Sequence, residues 1–337
     1  MSSAITYSPA FKDIDYFLRQ YGLGSMAFSS LQPELKYFIH KDYGYMAFLY
    51  LKDLIWAPKG FNVILGDPIC SPDNFDKLLD CYLEKVGKES TAFVHLSESI
   101  AKKLSDRGVL VNQMGIEHLI DLPNFDVKLP GSNFSHLRRW RNKARKDGVV
   151  VKELPFESIN PEQFQNVNSN WLSRKGGSEY IGLTRPLRIE DKQDVRYFWA
   201  FKDERLIGFA FFDPMYRDGK IYGYIHNIAR LDHGCPNGTN DLIILTAIEK
   251  MKEEGLEVLS LGLSPLAGIE DETLPCNRLI SRILKFMFKK CEWVYPFQGN
   301  FFHKEKYRSG RAQTYLAILP NSNLYRLMGV FRTLKVL

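Results

Sequence analysis

The chain has 337 residues, which is enough for one large domain or for two of ordinary size, each with its own core. Its composition, 45% hydrophobic and 25% charged, is typical of a globular protein and excludes disordered and fibrous classes. The formal net charge of +6 favours anionic partners if the excess is concentrated on one surface.

Cysteine usage and the N-terminal sequence indicate the compartment. The five cysteines form no C-x-x-C pair, and their odd number argues against a disulfide framework. Free cysteines of this kind fit a reducing cytoplasm. The first residues do not show a secretory signal, and no window approaches eighteen apolar residues. We therefore expect a cytoplasmic protein without a membrane-spanning helix.

Strands and helices alternate along the first third of the chain. Helical spacing of apolar residues predicts helices within residues 11–24, 75–86 and 97–104. Strand patterns cover residues 36–40, 45–51, 61–65, 92–95 and 118–122. This order predicts an α/β layer that ends at a linker containing Pro123 and Pro130.

The same order of elements recurs further along the chain. Helices are predicted at residues 161–173 and 277–289, and strands at residues 195–201, 206–212, 221–229, 258–263 and 313–319. The segments 203–205 and 216–220 have the composition of tight hairpin turns. Two halves with a similar order of elements indicate an internal structural duplication.

Residues 221–266 form the unit with the clearest potential for binding or catalysis. A buried strand is followed by a turn containing Gly234 and Gly238, and then by a helix that Thr239 or Asn240 could cap and that Gly255 would end. Such a turn aims backbone N–H groups and the positive end of the helix dipole at one point. That point suits a phosphate or a developing oxyanion, although many α/β units have this form without using it.

A basic helix is predicted at residues 135–147, after the linker. Leu137, Trp140 and Ala144 share one face of it. The cations on it are Arg138, Arg139, Arg141, Lys143, Arg145 and Lys146. The helix is either an ordinary solvated surface or a surface that binds the phosphates of a nucleic acid.

The C-terminal tail, residues 321–337, has the pattern of a basic amphipathic helix. Leu324, Leu327 and Phe331 fall at helical spacing, with Arg326 and Arg332 beside them. Such a helix either lies in a membrane interface or packs on its own domain.

Local catalytic and metal-binding motifs are absent from the sequence. The seven histidines have no metal-ligand spacing, and no phosphate-binding glycine loop occurs. Ser264 follows a strand but lacks the flanking glycines of a nucleophile elbow. The remaining candidates are polar residues at strand and helix ends, each of which could equally be a cap or a solvated charge: Asp67, Glu117, Glu179, Asn227, Arg230, Asp241, Lys304 and Lys306.

Seven short segments, in this order, resemble one known family. They are Gly66-Asp67-Pro68, Met114-Gly115-Ile116-Glu117 with Asp121-Leu122 and Phe125, the basic helix that begins at Leu137-Arg138-Arg139, Trp171-Leu172 with Glu179, Asp241, Leu261-Gly262-Leu263-Ser264-Pro265-Leu266, and Lys304-Glu305-Lys306-Tyr307. The family is the C-terminal domain of bacterial phosphatidylglycerol lysyltransferases, also called multiple peptide resistance factors. The resemblance extends over about residues 22–320.

The resemblance implies a mixed α/β (α+β) fold of two tandem GNAT-like (acyl-CoA N-acyltransferase) units. Residues 1–130 would be the N-terminal unit, 131–155 the basic linker helix, 156–320 the catalytic unit and 321–337 the tail. The implied reaction moves an aminoacyl group from a charged tRNA to a lipid hydroxyl. No cofactor and no metal are implied, since aminoacyl-tRNA is the co-substrate.

The resemblance also implies roles for the candidate residues. Glu179 or Asp241 would be the base or the anchor for an ammonium group, while Arg230, Lys304 and Lys306 would bind phosphates. The candidate catalytic residues are therefore Glu179, Asp241, Arg230 and Lys306. Substrate contacts are assigned to Asp67, Glu117, Asn227, Ser264 and Lys304, and the basic helix would lie near the tRNA.

The chain departs from the family pattern at two places. His226-Asn227-Ile228-Ala229-Arg230 stands where the family has Ser-Asp-Leu-Met-Arg, so that Asn227 replaces an acid and Arg230 is retained. Ser309 and Arg311 replace an expected proline and tryptophan. These departures bear on which acceptor and which donor are used.

Three functions are therefore considered. The first is an aminoacyltransferase that uses charged tRNA and an anionic lipid or small-molecule acceptor, at the inner face of the cell membrane through contact of the tail. The second is an acyl-CoA-dependent N-acyltransferase whose glycine turn before Asp241 holds the pyrophosphate. The third is a module that binds nucleic acid or a membrane surface without catalysis.

Overall fold

The computed structural model describes residues 3–7, 11–53, 55, 57–174, 187, 193–270 and 272–334. The elements of the N-terminal half are β1 Ser3–Tyr7, α1 Phe11–Tyr21, β2 Lys36–His40, β3 Gly44–Asp53, β4 Ala57–Leu65, β5 Ile69–Cys70, α2 Phe75–Val86, β6 Ser90–Leu96, α3 Glu98–Asp106 and β7 Val111–Asp121. The predicted helices and strands of this half are all confirmed.

The C-terminal half begins with the basic helix. Its elements are α4 Ser135–Lys146, β8 Val150–Glu153, α5 Pro161–Arg174, β9 Arg196–Lys202, β10 Arg205–Arg217, β11 Lys220–Leu231, α6 Thr239–Glu253, β12 Val258–Pro265, α7 Arg278–Lys290, α8 Phe297–Glu305, β13 Gly310–Leu319 and α9 Leu324–Thr333. Strands β1, β5 and β8 and helix α8 are absent from the sequence prediction. Helix α8 contains Gly299 and begins after Pro296, so its nine residues lack a clear helical period.

The two halves repeat one order of elements. Each has three antiparallel strands, β2–β4 in one half and β9–β11 in the other, and then a helix and a strand that pairs in parallel with the third. A parallel pair needs a crossover connection, which α2 and α6 provide. The predicted duplication of element order is therefore confirmed.

The described strands form one continuous sheet. Its order is β1-β2-β3-β4-β6-β13-β7-β12-β11-β10-β9-β8, with β5 paired to β3. Strand β13 lies between β6 and β7 of the N-terminal half, and β7 pairs with β12 of the C-terminal half. The last strand of each half thus completes the sheet of the other.

Hairpin and helix ends follow the predicted turn chemistry, with one correction. Asp203 and Glu204 have φ of 50° and 63°, as a two-residue hairpin turn requires. Helix α6 is preceded by Gly238 with φ 90°, and no side chain caps it. The prediction of a Thr239 or Asn240 cap is wrong, because the Thr239 hydroxyl donates instead to the carbonyl of Pro236 at 2.6 Å.

Gly238 is required at this position by two features. Its left-handed backbone favours glycine, and a Cβ atom there would lie 2.2 Å from the carbonyl oxygen of Trp140. The basic helix α4 therefore packs directly against the N-terminus of α6.

The tail helix α9 packs on the N-terminal half. Leu327, Val330 and Leu334 are buried in the same core cluster as residues of β3 and β4. The side chain of Arg326 donates to Ser90 of β6 at 3.0 Å. Of the two alternatives for this helix, packing on its own domain therefore accounts for its apolar face.

Candidate functional site

The site lies where strands β11 and β12 separate. Their parallel register runs from Gly223 opposite Val258 to Ile225 opposite Ser260, and then ends. A cavity of about 420 Å³ lies beyond that point, lined by residues 225–230 and by residues 261–263 and 265–266. Because the two strands no longer pair with each other there, their facing backbone groups border the cavity.

A β-bulge shapes the wall that β11 provides. Phe211 of β10 pairs with Ile228, and Phe212 pairs with His226, so Asn227 is an extra residue in the ladder. Bulges of this kind redirect side chains and are frequent beside active sites. Residues 226–230 all line the cavity as a result.

The cavity lining combines two chemical groups of side chains. Helices α7 and α9 and strand β13 contribute apolar residues, namely Leu284, Met287, Leu316, Val330, Phe331 and Leu334. The polar residues include His95, His226, Asn227, Arg230, Asn240, Asn300, His303 and Lys304. An apolar cavity with a few converging polar groups is the usual form of a ligand site.

Lys304 presents an amine with an unusual protonation equilibrium. Its Nζ donates a hydrogen bond to the carbonyl oxygen of Leu263 at 2.7 Å. Loss of solvent lowers the pKa of Lys304 to about 7, with Glu117 partly opposing the shift. Near neutral pH the amine therefore exists in both forms, as a general acid–base group requires.

Gly262 lies beside this amine and has a left-handed backbone conformation. Its φ is 76°, and a Cβ atom at this position would lie 3.8 Å from the Nζ of Lys304. The pairing of β12 with β7 shifts register between Ser260 and Leu263. Leu263 can then direct its carbonyl oxygen toward Lys304.

Arg230 supplies a permanent positive charge. It is 3% exposed, its guanidinium donates to the Oδ1 of Asn168, and its Cζ lies 4.4 Å from the ring centre of Trp171. Desolvation lowers the pKa of Arg230 to about 10, which leaves the group charged at neutral pH. A charged, oriented guanidinium suits recognition of a phosphate.

Asn227 binds a neighbouring carboxylate. Its Nδ2 donates to the Oδ2 of Asp213 on β10 at 2.5 Å and to the Oγ of Ser29 at 3.4 Å. Asp213 is fully buried. An acidic group is thus present beside position 227, although the residue itself is an amide.

Asp241 joins helix α6 to the end of helix α8. Its carboxylate accepts hydrogen bonds from the hydroxyl of Tyr307 at 2.7 Å and lies 2.6 Å from the Nζ of Lys306. Tyr307 lines the cavity, whereas Asp241 and Lys306 are absent from its lining. The arrangement places these two predicted catalytic residues immediately behind the cavity wall.

Asp67 and Glu117 belong to a second cavity. It measures about 520 Å³ and lies at the ends of β4 and β6, and it shares Met26 and His95 with the first. Burial raises the pKa of Asp67. Burial also acts to raise the pKa of Glu117, but the imidazole of His95, whose Nε2 lies 3.4 Å from the carboxylate, and the hydrogen bond donated by Ser260 outweigh it, and the net shift is downward.

Ser264 is fully buried and lines neither cavity. Its hydroxyl lies 3.1 Å from the Nε2 of His118 and donates to the Oδ1 of Asn300 at 2.9 Å. These contacts link β12 to β7 and α8. Direct contact of Ser264 with a substrate in either cavity is therefore unsupported.

The cations of α4 divide into two groups. Arg138 and Arg141 donate to carbonyl oxygens of the preceding loop, at Leu129, Gly131 and Val127. The exposed cations are Arg139, Lys143, Arg145 and Lys146. Lys143 is also 2.8 Å from Asp147.

The remaining predicted residue, Glu179, lies outside the described residues. Within the described ranges, no group of His, Cys, Asp or Glu side chains could hold a metal ion. No helix among these residues is long and apolar enough to cross a membrane.

His226 is the functional candidate that sequence reasoning missed. Its Nε2 is buried and has no hydrogen-bond partner among the described residues. Burial, with the nearby charge of Lys304, lowers its pKa to about 3, so the ring is neutral. The period-two spacing of His226, Ile228 and Arg230 was the available signal, but it does not reveal the bulge.

Comparison with known proteins identifies the family. A model of the family described as Phosphatidylglycerol lysyltransferase, C-terminal, matches residues 19–318. The chain belongs to this family. The Phosphatidylglycerol lysyltransferase of Bacillus subtilis (strain 168) is 26% identical over 267 residues, which are 78% of this chain and 30% of that protein.

Solved structures of this family share the fold. The structure of L-PGS from Bacillus licheniformis superposes with a TM-score of 0.76 at 19% identity, covering 98% of this chain and 97% of that chain. The C-terminal domain of a putative lysylphosphatidylglycerol synthetase from Agrobacterium fabrum gives 0.75 at 18% identity, covering 94% and 93%. The predicted mixed α/β fold class, with two halves that repeat one order of elements, is confirmed.

The chain spans only part of the length of its curated relatives. It covers 30% of the Bacillus subtilis protein and 39% of the Staphylococcus aureus (strain COL) protein, or about a third of the length of these curated relatives. The boundaries predicted at residues 130, 155 and 320 remain predictions.

Proposed function

We propose that the chain transfers an aminoacyl group from aminoacyl-tRNA to the hydroxyl of a phosphatidylglycerol-type lipid. The observation that carries this proposal is the cavity between β11 and β12, which combines Arg230, Lys304 and an apolar wall. Arg230 suits the lipid phosphate, and the apolar residues suit acyl chains. The family name supports transfer of lysine to this lipid class.

The chemistry needs little activation, because an aminoacyl ester is already reactive. In the proposed step, neutral Lys304 accepts the proton of the acceptor hydroxyl while the hydroxyl oxygen forms a bond to the ester carbonyl carbon. The bond from that carbon to the ribose oxygen of the tRNA then breaks, and the ribose oxygen takes up the proton. Backbone N–H groups near residues 227–230 are candidates to stabilise the oxyanion.

Charged tRNA is proposed to approach over α4. Arg139, Arg145 and Lys146 are exposed and have no salt bridge among the described residues. Helix α4 contacts the N-terminus of α6 at Gly238, three residues before Asp241. A polyanion on this face would therefore lie close to the cavity. Asp241 and Lys306 would position the end of α8, with Glu179, Asp67 and Glu117 as further candidate substrate contacts.

Location at the inner face of the cell membrane is part of the proposal. A long-chain lipid acceptor requires the chain to reach a bilayer. The tail helix offers Leu324 and Tyr325 as exposed apolar residues, 42% and 45% accessible. Its other described apolar residues are buried or half-buried, so the tail is at most a minor contact.

Use of acyl-CoA remains the second candidate function. A pyrophosphate would need the N-terminus of α6. The carbonyl of Trp140 packs against Gly238 at this end, and Pro236 lacks a backbone donor. Both features favour the aminoacyltransferase over the acyl-CoA enzyme. The third alternative, a module that binds without catalysis, predicts salt-sensitive binding and no product.

The test is incubation with total aminoacyl-tRNA and phosphatidylglycerol vesicles, followed by mass spectrometry of the lipids. We expect an aminoacyl adduct that disappears when the tRNA is deacylated beforehand. Lys304→Met should reduce the rate about a hundredfold or more, whereas Lys88→Met, at an exposed lysine elsewhere, should leave it unchanged. Product with acetyl-CoA alone, or equal rates for both variants, would contradict the proposal.

A further inference from the structure

Helix α7 exposes an unusual row of large apolar side chains. Leu279, Phe286 and Trp293 are 54%, 60% and 81% exposed, and Phe302 on α8 is 65% exposed. Leu279, Arg282, Phe286 and Lys289 are spaced at three and four residues, so they share one face of the helix. Trp293 continues this row just beyond the helix end. We call Leu279, Arg282, Phe286, Lys289 and Trp293 the outer stripe.

Helix α8 extends the apolar surface beside the outer stripe. The rings of Phe288 on α7 and Phe301 on α8 are 6.5 Å apart, and those of Phe301 and Phe302 are 5.4 Å apart. The half-buried rings of Phe288 and Phe301 therefore connect the exposed Phe302 to α7. Exposed apolar surface of this kind usually marks an interaction site.

The charge on α7 is of one sign. Its thirteen residues include no Asp or Glu, and its cations are Arg278, Arg282, Lys285, Lys289 and Lys290. In the described part of the chain no salt bridge joins these cations to a carboxylate. Lys285 donates to the carbonyl of Glu270 at 2.5 Å, and Glu292 accepts the backbone N–H of Gln298 at 2.8 Å. The surface is thus complementary to an anionic partner.

The opposite face of α7 forms part of the cavity. Ile280, Leu284 and Met287 are buried, and the last two line the space between β11 and β12. One helix therefore separates the cavity from the exposed aromatic surface.

We propose that the outer stripe and Phe302 dock on an anionic lipid bilayer. Bulky apolar residues among Lys and Arg, on a helix that contains no Asp or Glu, form the pattern that places a helix flat in a membrane interface. Each Lys or Arg near an anionic surface adds about fivefold to affinity. Trp and Tyr also favour the headgroup level. The inference rests on the proposed lipid acceptor, which would enter the cavity beside α7.

Vesicle binding tests the proposal directly. The full chain should float with vesicles of equal phosphatidylglycerol and phosphatidylcholine, and bind pure phosphatidylcholine at least about tenfold more weakly. Phe286→Ser with Trp293→Ser should weaken binding to anionic vesicles about tenfold or more. Arg282→Gln with Lys289→Gln should weaken it and reduce its salt dependence.

Matched controls lie on other surfaces. Ile55→Ser removes an apolar side chain that is 67% exposed, and Lys88→Gln with Lys220→Gln removes two exposed cations. Both should bind vesicles as the unchanged protein does. Equal losses in stripe and control variants, or unchanged binding in the stripe variants, would overturn the proposal. The proposal would also be overturned if the stripe variants changed only the oligomeric state measured by light scattering, or only the binding of tRNA.

A second substrate separates docking from catalysis. With a dispersed short-chain phosphatidylglycerol, Phe286→Ser with Trp293→Ser should retain the transfer rate of the unchanged protein while losing transfer to vesicles. Loss with both substrates would assign the stripe to catalysis or folding and overturn docking. Vesicle binding without transfer to either lipid would instead refute the proposed acceptor and leave docking established.

Discussion

The Nζ of Lys304 lies against the carbonyl oxygen of Leu263, at 2.7 Å, in the opening between two parallel strands. A carbonyl is a neutral acceptor, so it orients the amine without fixing its charge as a carboxylate would. Desolvation then holds the pKa of Lys304 at about 7. Leu263 thus keeps a reactive amine in place.

The rate of transfer should depend on the protonation of Lys304. Because the neutral amine is the proposed base, the rate should rise with pH through about 7 and then level off. Stopped assays between pH 5.5 and 9 with saturating substrates measure this. Lys304→Arg, which stays charged, should lose the inflection together with most of the activity. A flat profile in the unchanged protein would contradict the role.

The lowered pKa of Lys304 should also make the stability of the protein depend on pH. The folded-state pKa of Lys304 is below the unfolded value of 10.5, so unfolding takes up a proton between pH 7 and 10.5. The free energy of unfolding therefore rises with pH across that window. Below pH 7 the buried amine is charged, and its full desolvation cost lowers the stability. Lys304→Met should raise the melting temperature more at pH 6 than at pH 10. An equal change at both pH values would argue against the shift.

Arg230 should act on lipid affinity. Arg230→Lys keeps the charge but loses the planar group that lies over Trp171. We expect KM for the lipid to rise about tenfold, the scale of a lost phosphate contact, with a smaller effect on kcat. Steady-state kinetics with dispersed lipid distinguishes these constants. A change confined to KM for tRNA would reassign the residue.

Asp241 should affect stability as well as activity. Its carboxylate is 4% exposed and faces both Lys306 and Tyr307. Asp241→Ala leaves these groups without their shared partner, and we expect a loss of about 3 kcal/mol in the free energy of unfolding. Tyr307→Phe removes one hydrogen bond and should cost about 1 kcal/mol. Chemical denaturation measures both, and equal stabilities would contradict the contact.

The exposed cations of α4 should make the affinity for tRNA depend on salt concentration. Arg145→Gln with Lys146→Gln should reduce the slope of log affinity against log salt by about two. Arg138→Gln should leave the slope nearly unchanged, since Arg138 is engaged with the carbonyls of Leu129 and Gly131. Filter binding across a salt series separates the two. Equal slopes in all three proteins would place the tRNA elsewhere.

Local patterns predicted most elements, because apolar period and turn residues act over short distances. Helix α2 was predicted with the bounds that the structure shows, Phe75 to Val86. The tertiary relationships were beyond such patterns. The bulge at Asn227, the division of Glu117 and Lys304 between two cavities, and the contact of Trp140 with Gly238 depend on residues far apart in sequence.

The sequence indicated several residues of the site, but not how they are arranged in space. Arg230 and Lys304 were selected, and both line the main cavity. Asp241 and Lys306 were selected with the same reasoning, yet they lie behind its wall. No sequence pattern indicates on which side of a cavity wall a side chain lies, since that depends on the packing of α6 against α8.

The position of β13 constrains how the chain can be made and divided. Tyr315 pairs with Leu96 on one side and with Gln113 on the other. During synthesis, strands β6 and β7 must wait until residues 310–319 have left the ribosome before the sheet can close. A fragment that ends before β13 would leave two strand edges open in its centre, which is a risk for aggregation. The two halves are therefore repeats in architecture but a single unit in biosynthesis.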